Sequence, residues 1–241
     1  MKFRNSEKFW MLIAASFVVF IASCSPSTSP KAKKTPVNDT STLAAGAHPH
    51  LGTSFTDSAY IRDSSLNIIA SSGTTIVYTL VDTNFSIGGK SNVYEFTSTA
   101  DTIYLHYEAS GDISYYTRFG LGSFSVGSEW VTFPTQTQGT IPITSFSSPV
   151  LTDTIQITGS SKGQGIGSYQ LGKVVLSAGR ALMSADAYAV KLKTHSTAKV
   201  TIFFASGLDF FTGYAVNTSG NFGGVNLGGG VNRFLIDYDL K

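Results

Sequence analysis

Apolar residues at every second position, in runs short enough to be single strands, constrain this chain more than any other feature. Ile76, Tyr78 and Leu80 share one face, as do Ile103, Leu105 and Tyr107, then Val200, Ile202 and Phe204, and finally Phe234, Ile236, Tyr238 and Leu240. A period of two sends successive side chains to opposite faces of a strand, so each run has one face to bury and one to leave in water. About a dozen such segments can be drawn between clusters of Gly, Asn, Asp and Ser. The 24 glycines, 17 phenylalanines and 11 tyrosines among 241 residues suit tight turns and strands rather than helices. Only Arg180 to Ala187 carries a faint helical pattern, and it is too short to stand alone. The expected fold is all-β: an antiparallel β-sandwich, jelly-roll-like, with little helix.

The clearest hairpin runs from Asp101 to Phe119. Burying Ile103, Leu105 and Tyr107 together with Ile113 and Tyr115 requires an odd-length connection, and Ala109-Ser110-Gly111 supplies three residues, with glycine where φ must be positive. Register follows: His106 faces Ser114, Tyr104 faces Tyr116 and Thr102 faces Arg118, all on the face opposite the core. Tyr104, His106, Tyr116 and Arg118, with Trp130 nearby, are therefore the candidate ligand-binding residues, since outward aromatic rings beside an imidazole and a guanidinium can stack on a sugar or another planar ligand. The competing expectation is that Tyr104 and Tyr116 form a cross-strand pair that stabilises the sheet, or lie under a loop.

The other motifs point away from catalysis. Gly159 to Gly163 matches G-x-S-x-G, but Gln164-Gly165-Ile166-Gly167 follows it where a nucleophile elbow needs a helix, so a glycine-rich hairpin turn is expected. Gly220 to Gly230 precedes a strand-like run rather than a helix, which argues for bulges or a mobile loop instead of a phosphate cradle. His48-Pro49-His50 lacks an accompanying Asp, Glu or Cys cluster, and no metal or other cofactor is expected. Lys191, Lys193 and His195, with Lys199 nearby, share an outward face that can oppose edge aggregation. Asp101-Thr102-Ile103 followed by Ser114-Tyr115 recurs as Asp153-Thr154-Ile155 followed by Ser168-Tyr169, which suggests a duplicated pair of hairpins. From Tyr94 to Gly120, the residues Tyr94-Glu95-Phe96, Ser110-Gly111-Asp112, Tyr115, Tyr116 and Arg118 resemble the small sandwich modules called pre-peptidase C-terminal domains, although Ser114 stands where that pattern has a second acid.

Upstream, Phe9 to Cys24 reads FWMLIAASFVVFIASC behind Lys2, Arg4 and Lys8. A basic start, an apolar run and small residues near its end are the layout of a secretory signal. The run is too short to span a bilayer, which takes roughly 20 apolar residues in a helix. Its end, Ile21-Ala22-Ser23-Cys24, resembles the lipobox of bacterial lipoproteins. The resemblance implies cleavage before Cys24, a diacylglycerol on its thiol and usually an acyl chain such as palmitate on the new amino group. Serine at position 25, in that family, is compatible with transfer to an outer membrane. Each buried CH₂ contributes about 0.8 kcal/mol, so two or three chains hold a protein to the bilayer where one does not. Residues 1–23 are then the cleaved signal peptide, residues 24–50 the lipidated cysteine and a disordered Ser/Thr/Pro/Lys tether, and residues 51–241 a single β-sandwich domain.

Cys24 is the only cysteine, so the fold has no disulfide and must stand on its core. Cleavage removes Lys2, Arg4, Lys8 and Glu7 from 17 basic and 15 acidic residues, leaving 14 of each and no net charge. The basic pI thus belongs to the signal, and no nucleic-acid partner is expected. These features describe a non-enzymatic, lipid-anchored envelope protein, exported, with the bilayer as one partner and a glycan, another ligand or another envelope protein as a second. No residue is assigned a catalytic role. The alternatives are a structural or adhesin-type subunit assembling through sheet edges, an envelope hydrolase with acid and base converging in one cleft, and a lipid-anchored membrane barrel with an apolar outer face.

Overall fold

Twelve strands carry the alternating runs: β1 (Ser54–Arg62), β2 (Thr74–Ile87), β3 (Lys90–Thr97), β4 (Thr102–Tyr107), β5 (Ile113–Leu121), β6 (Phe124–Phe133), β7 (Thr140–Val150), β8 (Asp153–Leu171), β9 (Val174–Ala189), β10 (Thr194–Ala205), β11 (Phe210–Phe222) and β12 (Val225–Asp239). The structure, a computed structural model, describes residues 48–63, 65, 67–121, 124–135, 139–150, 153–171, 174–191, 194–205, 208–222 and 225–241. Residues 1–23, Cys24 and the tether through residue 47 lie outside the described residues. Among the described residues the only helical element is a 3-10 turn at Ala70–Ser72.

The fold is all-β and antiparallel, and its strands form one sheet in the order β6-β5-β4-β3-β2-β1-β12-β11-β10-β9-β8-β7. Each ladder joins neighbours in the chain except β1 to β12, which brings the first and last strands together. That arrangement is barrel-like rather than the two-sheet sandwich or jelly roll expected from the pattern. A jelly roll needs crossovers between sheets, whereas connections of hairpin length leave a right-twisting meander to curl round on itself. Strands β6 and β7 are the two edges, and among the described residues no ladder joins them.

The curl encloses the core. Phe55, Tyr78, Leu80, Phe96, Leu105 and Phe210 are fully buried, and the Phe210 ring stacks on Phe55 at 4.2 Å. Burying a side chain of this size contributes roughly 1.5–3 kcal/mol, which lets the interior dispense with a cross-link. The expected inward faces Ile76-Tyr78-Leu80 and Val200-Ile202-Phe204 are buried as read. Along the first half of β8, Ile155 and Ile157 are buried while Gln156, Thr158 and Lys162 are exposed, so the inner face is apolar there.

Several local expectations are corrected. Gly159 to Gly163 is not a turn but the middle of the 19-residue β8, where a Cβ on Gly159 would meet the Ser184 carbonyl oxygen of β9 at 2.4 Å. Asp153 through Tyr169 lies in that same strand, whereas Asp101 through Tyr115 spans a turn, so the sequence echo is not a duplicated hairpin. Arg180 to Ala187 belongs to β9, with Ala181, Met183 and Ala185 buried, because alanine serves the inner face of a tightly packed strand as readily as a helix. Gly220 to Phe222 and Val225 to Gly230 lie in the paired ends of β11 and β12, and residues 223 and 224 of this stretch lie outside the described residues. A Cβ on Gly230 would lie 2.0 Å from the Val216 carbonyl oxygen.

The last strand reverses its expected phase. Arg233 and Leu235 are buried, while Phe234 and Ile236 are 38% and 50% exposed. Thr56 pairs with Asp237 and Asp57 with Leu235, so Ile236 is bulged out of the ladder. Beyond the bulge the phase recovers: Tyr238 sits opposite Phe55 and packs on the core.

Candidate functional site

The β4–β5 hairpin has the expected register. Leu105 pairs with Tyr115, His106 with Ser114 and Tyr107 with Ile113. The Glu108 amide donates to the Asp112 carbonyl at 2.9 Å across the three-residue loop, and Gly111 takes φ +82°. Tyr104 and Tyr116 meet edge to face at 6.5 Å. Strand β6 then extends the surface, pairing Tyr116 with Trp130 at a ring separation of 5.1 Å, and the His106 ring lies 6.2 Å from Trp130. Four of the expected residues, Tyr104, His106, Tyr116 and Trp130, are thus brought together outside the core. Arg118 occupies β5 opposite Ser128, and its side chain lies outside the described residues.

Sequence reading missed what covers this surface. The β2–β3 ladder shifts register three times, and the end of this hairpin folds over the aromatic face as an arm. Phe85 stacks on Tyr104 at 5.3 Å and 17°. Trp130 Nε1 donates to the carbonyl oxygens of Ile87 and Gly88 at 3.3 and 3.1 Å. Gly88 takes φ +57°, and a Cβ there would stand 2.5 Å from Tyr116 and 2.7 Å from Trp130, so only glycine lets the backbone come this close. Beside the tip of the arm, Lys90 Nζ lies 5.4 Å from the centre of the Trp130 ring and pairs with Glu108 Oε1.

This cluster has its own electrostatics. Burial pushes the Glu108 carboxyl up, but hydrogen bonds from Lys90 and Ser114 and the charge of Lys90 outweigh it and hold the group below the usual carboxylate range. Partial burial and the neighbouring Glu95 raise the Tyr104 hydroxyl. Ser114 Oγ also meets Thr132 Oγ1 at 2.7 Å. His106 Nδ1 is buried and has no hydrogen-bond partner among the described residues. The arrangement offers ring faces, a carboxylate that accepts from the Ser114 hydroxyl, and an imidazole nitrogen, which suits recognition.

A second polar cluster lies inside the barrel at the β1–β12 seam. Arg233 Nη2 meets Asp101 Oδ2 at 3.1 Å, Arg233 Nη1 donates to the Tyr78 hydroxyl oxygen, and that hydroxyl donates to Asp101 Oδ1 at 2.6 Å. Burial raises the Asp57 carboxyl to about 7, against the pull of Arg233 and with a further push from Asp101. Its Oδ1 has no hydrogen-bond partner among the described residues. Tyr169 crosses from β8 to donate to the Leu235 carbonyl at 3.1 Å. The groups are packed among core side chains, and they read as structural.

The remaining polar expectations resolve into local pairs. His48 Nδ1 lies 2.6 Å from Asp209 Oδ2, and its ring stacks on Tyr107 at 4.6 Å. His195 meets Asp186 at 3.1 Å, and Lys193 lies outside the described residues.

No protein-family model matches the chain, and no curated protein matches it. Among solved structures, a putative lipoprotein from Parabacteroides distasonis ATCC 8503 aligns with a TM-score of 0.46 and 9% identity, over 83% of this chain and 100% of that one.

Proposed function

We propose that the protein is a lipid-anchored cell-envelope binding module. Residues 1–23 are its signal, acylated Cys24 is its anchor at the outer membrane, and a tether through residue 47 carries the single domain, onto which His48 already packs. The domain binds a glycan at the outer face built from Tyr104, His106, Tyr116 and Trp130, with Arg118 on the same strand. One observation carries the reading: a second aromatic cluster, separate from the core, gathers ring faces beside a carboxylate and an unpartnered imidazole nitrogen. Ring faces stack on the C–H faces of sugars, and nearby polar groups orient the hydroxyls.

Trp10 and Trp130 are the only tryptophans, and Trp10 lies in the signal. The fluorescence of the matured protein therefore reports on Trp130 alone, and a saturable change on titration with envelope oligosaccharides, lost in Tyr116→Ala, is the expected result. A signal that stays flat across an oligosaccharide panel sinks the site. For the anchor, Cys24→Ala is expected to abolish palmitate labelling and release the protein from the membrane fraction; labelling that persists overturns the assignment.

A further inference from the structure

Lys90 touches two groups that make a recognisable pair. Its ammonium lies 5.4 Å from the Trp130 ring centre and bonds to Glu108, which also accepts a hydrogen bond from Ser114. An indole face attracts a cation through its quadrupole, and a carboxylate accepts the cation's protons. Trp130 comes from β6, Ser114 from β5, and Glu108 from the turn between β4 and β5. None of the three is on the arm, so the receptor half of this contact stands without Lys90.

Beside it, Phe85 of the arm lies nearly parallel to Tyr104. The arm thus presents an aromatic ring to the ring-stacking part of the surface, an ammonium to the cation-attracting part, and backbone carbonyls to the Trp130 N–H. We propose that the site takes an amine-bearing sugar ring, and that Phe85 and Lys90 occupy it in the free protein as an internal stand-in, Phe85 for the ring and Lys90 for the ammonium. This rests on the glycan reading of the same surface and adds the charge of the ligand and what it displaces. The arm is suited to leaving. Its ladder is broken by three register shifts, its tip holds Gly88 and Gly89 in the left-handed region, and the Lys90–Glu108 pair is more than a quarter exposed on each side, where ion pairs exchange readily.

The test uses matured, detergent-extracted full-length protein and two probes: a short β-1,4-linked glucosamine oligomer, at a pH where its amines are protonated, and the N-acetylated oligomer of the same length. Calorimetry and Trp130 fluorescence read the binding. The amine form is expected to bind about tenfold tighter or more, and Glu108→Gln to erase that preference. Lys90→Met is expected to tighten amine binding several-fold, while Lys90→Arg, which keeps the charge and the fold, behaves as wild type. Equal binding of the two oligomers overturns the cation assignment and leaves the glycan reading standing. Unchanged or weaker amine binding by Lys90→Met overturns the stand-in. Absence of binding by both oligomers to wild type and to Lys90→Met removes the inference together with the reading it rests on.

Discussion

Arg233–Asp101 inside the barrel and Lys90–Glu108 outside it are both ion pairs set among aromatic rings, yet they stand in opposite positions energetically. Arg233 is 5% exposed and answers to three groups at once, Tyr78, Asp101 and the charge of Asp57. Lys90 answers to one carboxylate and one ring face, on an arm that water reaches. Removing one member of a buried pair strands the other charge in a low dielectric, whereas an exposed pair forfeits little when it parts. The inner pair can therefore serve only the fold. The outer pair is free to be exchanged for something else.

The largest effect that would break this contrast is at Arg233. Arg233→Met leaves Asp101 and Asp57 without their guanidinium and is expected to cost about 3–5 kcal/mol in chemical denaturation; a loss below about 1 kcal/mol would mean that the inner network is slack. Next is pH. Asp57 titrates at about 7 in the folded protein and near 3.8 when unfolded. Between those values the folded state holds the extra proton, so stability falls as pH rises from about 4 through about 7 and levels off above. Asp57→Asn is expected to lose that slope and to be more stable than wild type at pH 8; parallel pH profiles for the two would contradict a buried, neutral-leaning carboxyl. The smallest effect belongs to the outer pair: Lys90→Met is expected to change denaturation stability by no more than about 1 kcal/mol while shifting Trp130 emission. A cost comparable to that of Arg233→Met would erase the distinction between the two pairs.

Much of the barrel's wall was legible in the sequence, because alternation is a local property. The inward runs around Tyr78 and Ile202, and the His106–Ser114 register with Gly111 at its turn, required only neighbouring residues and turn chemistry. What escaped depends on partners far away in the chain. The phase of β12 turns on a bulge set by β1, and a buried arginine looks like a surface residue until Asp101 and Tyr78 are seen around it. The joining of the first six strands to the last six depends on the β1–β12 ladder, which no local pattern announces. At the site, the rings were readable but the arm was not, since Gly88-Gly89 marks a turn without saying which face the turn folds over. Lys90 and Glu108, at that turn and the next, were its unread half.

The pairing of β1 with β12 also orders events in time. Each hairpin of the meander can form as soon as its own two strands are available, but Ser54 finds Asp239 only when nearly the whole chain is present. Contacts so distant in sequence close slowly, because the loop entropy must be met before the contact stabilises anything. A chain delivered with its first strand leading therefore keeps β1 as an unsealed edge until β12 arrives, with Asp57 and Arg233 still in water and apart. The meeting of those two residues is both the joining of the sheet's two halves and the step that commits a carboxyl to burial.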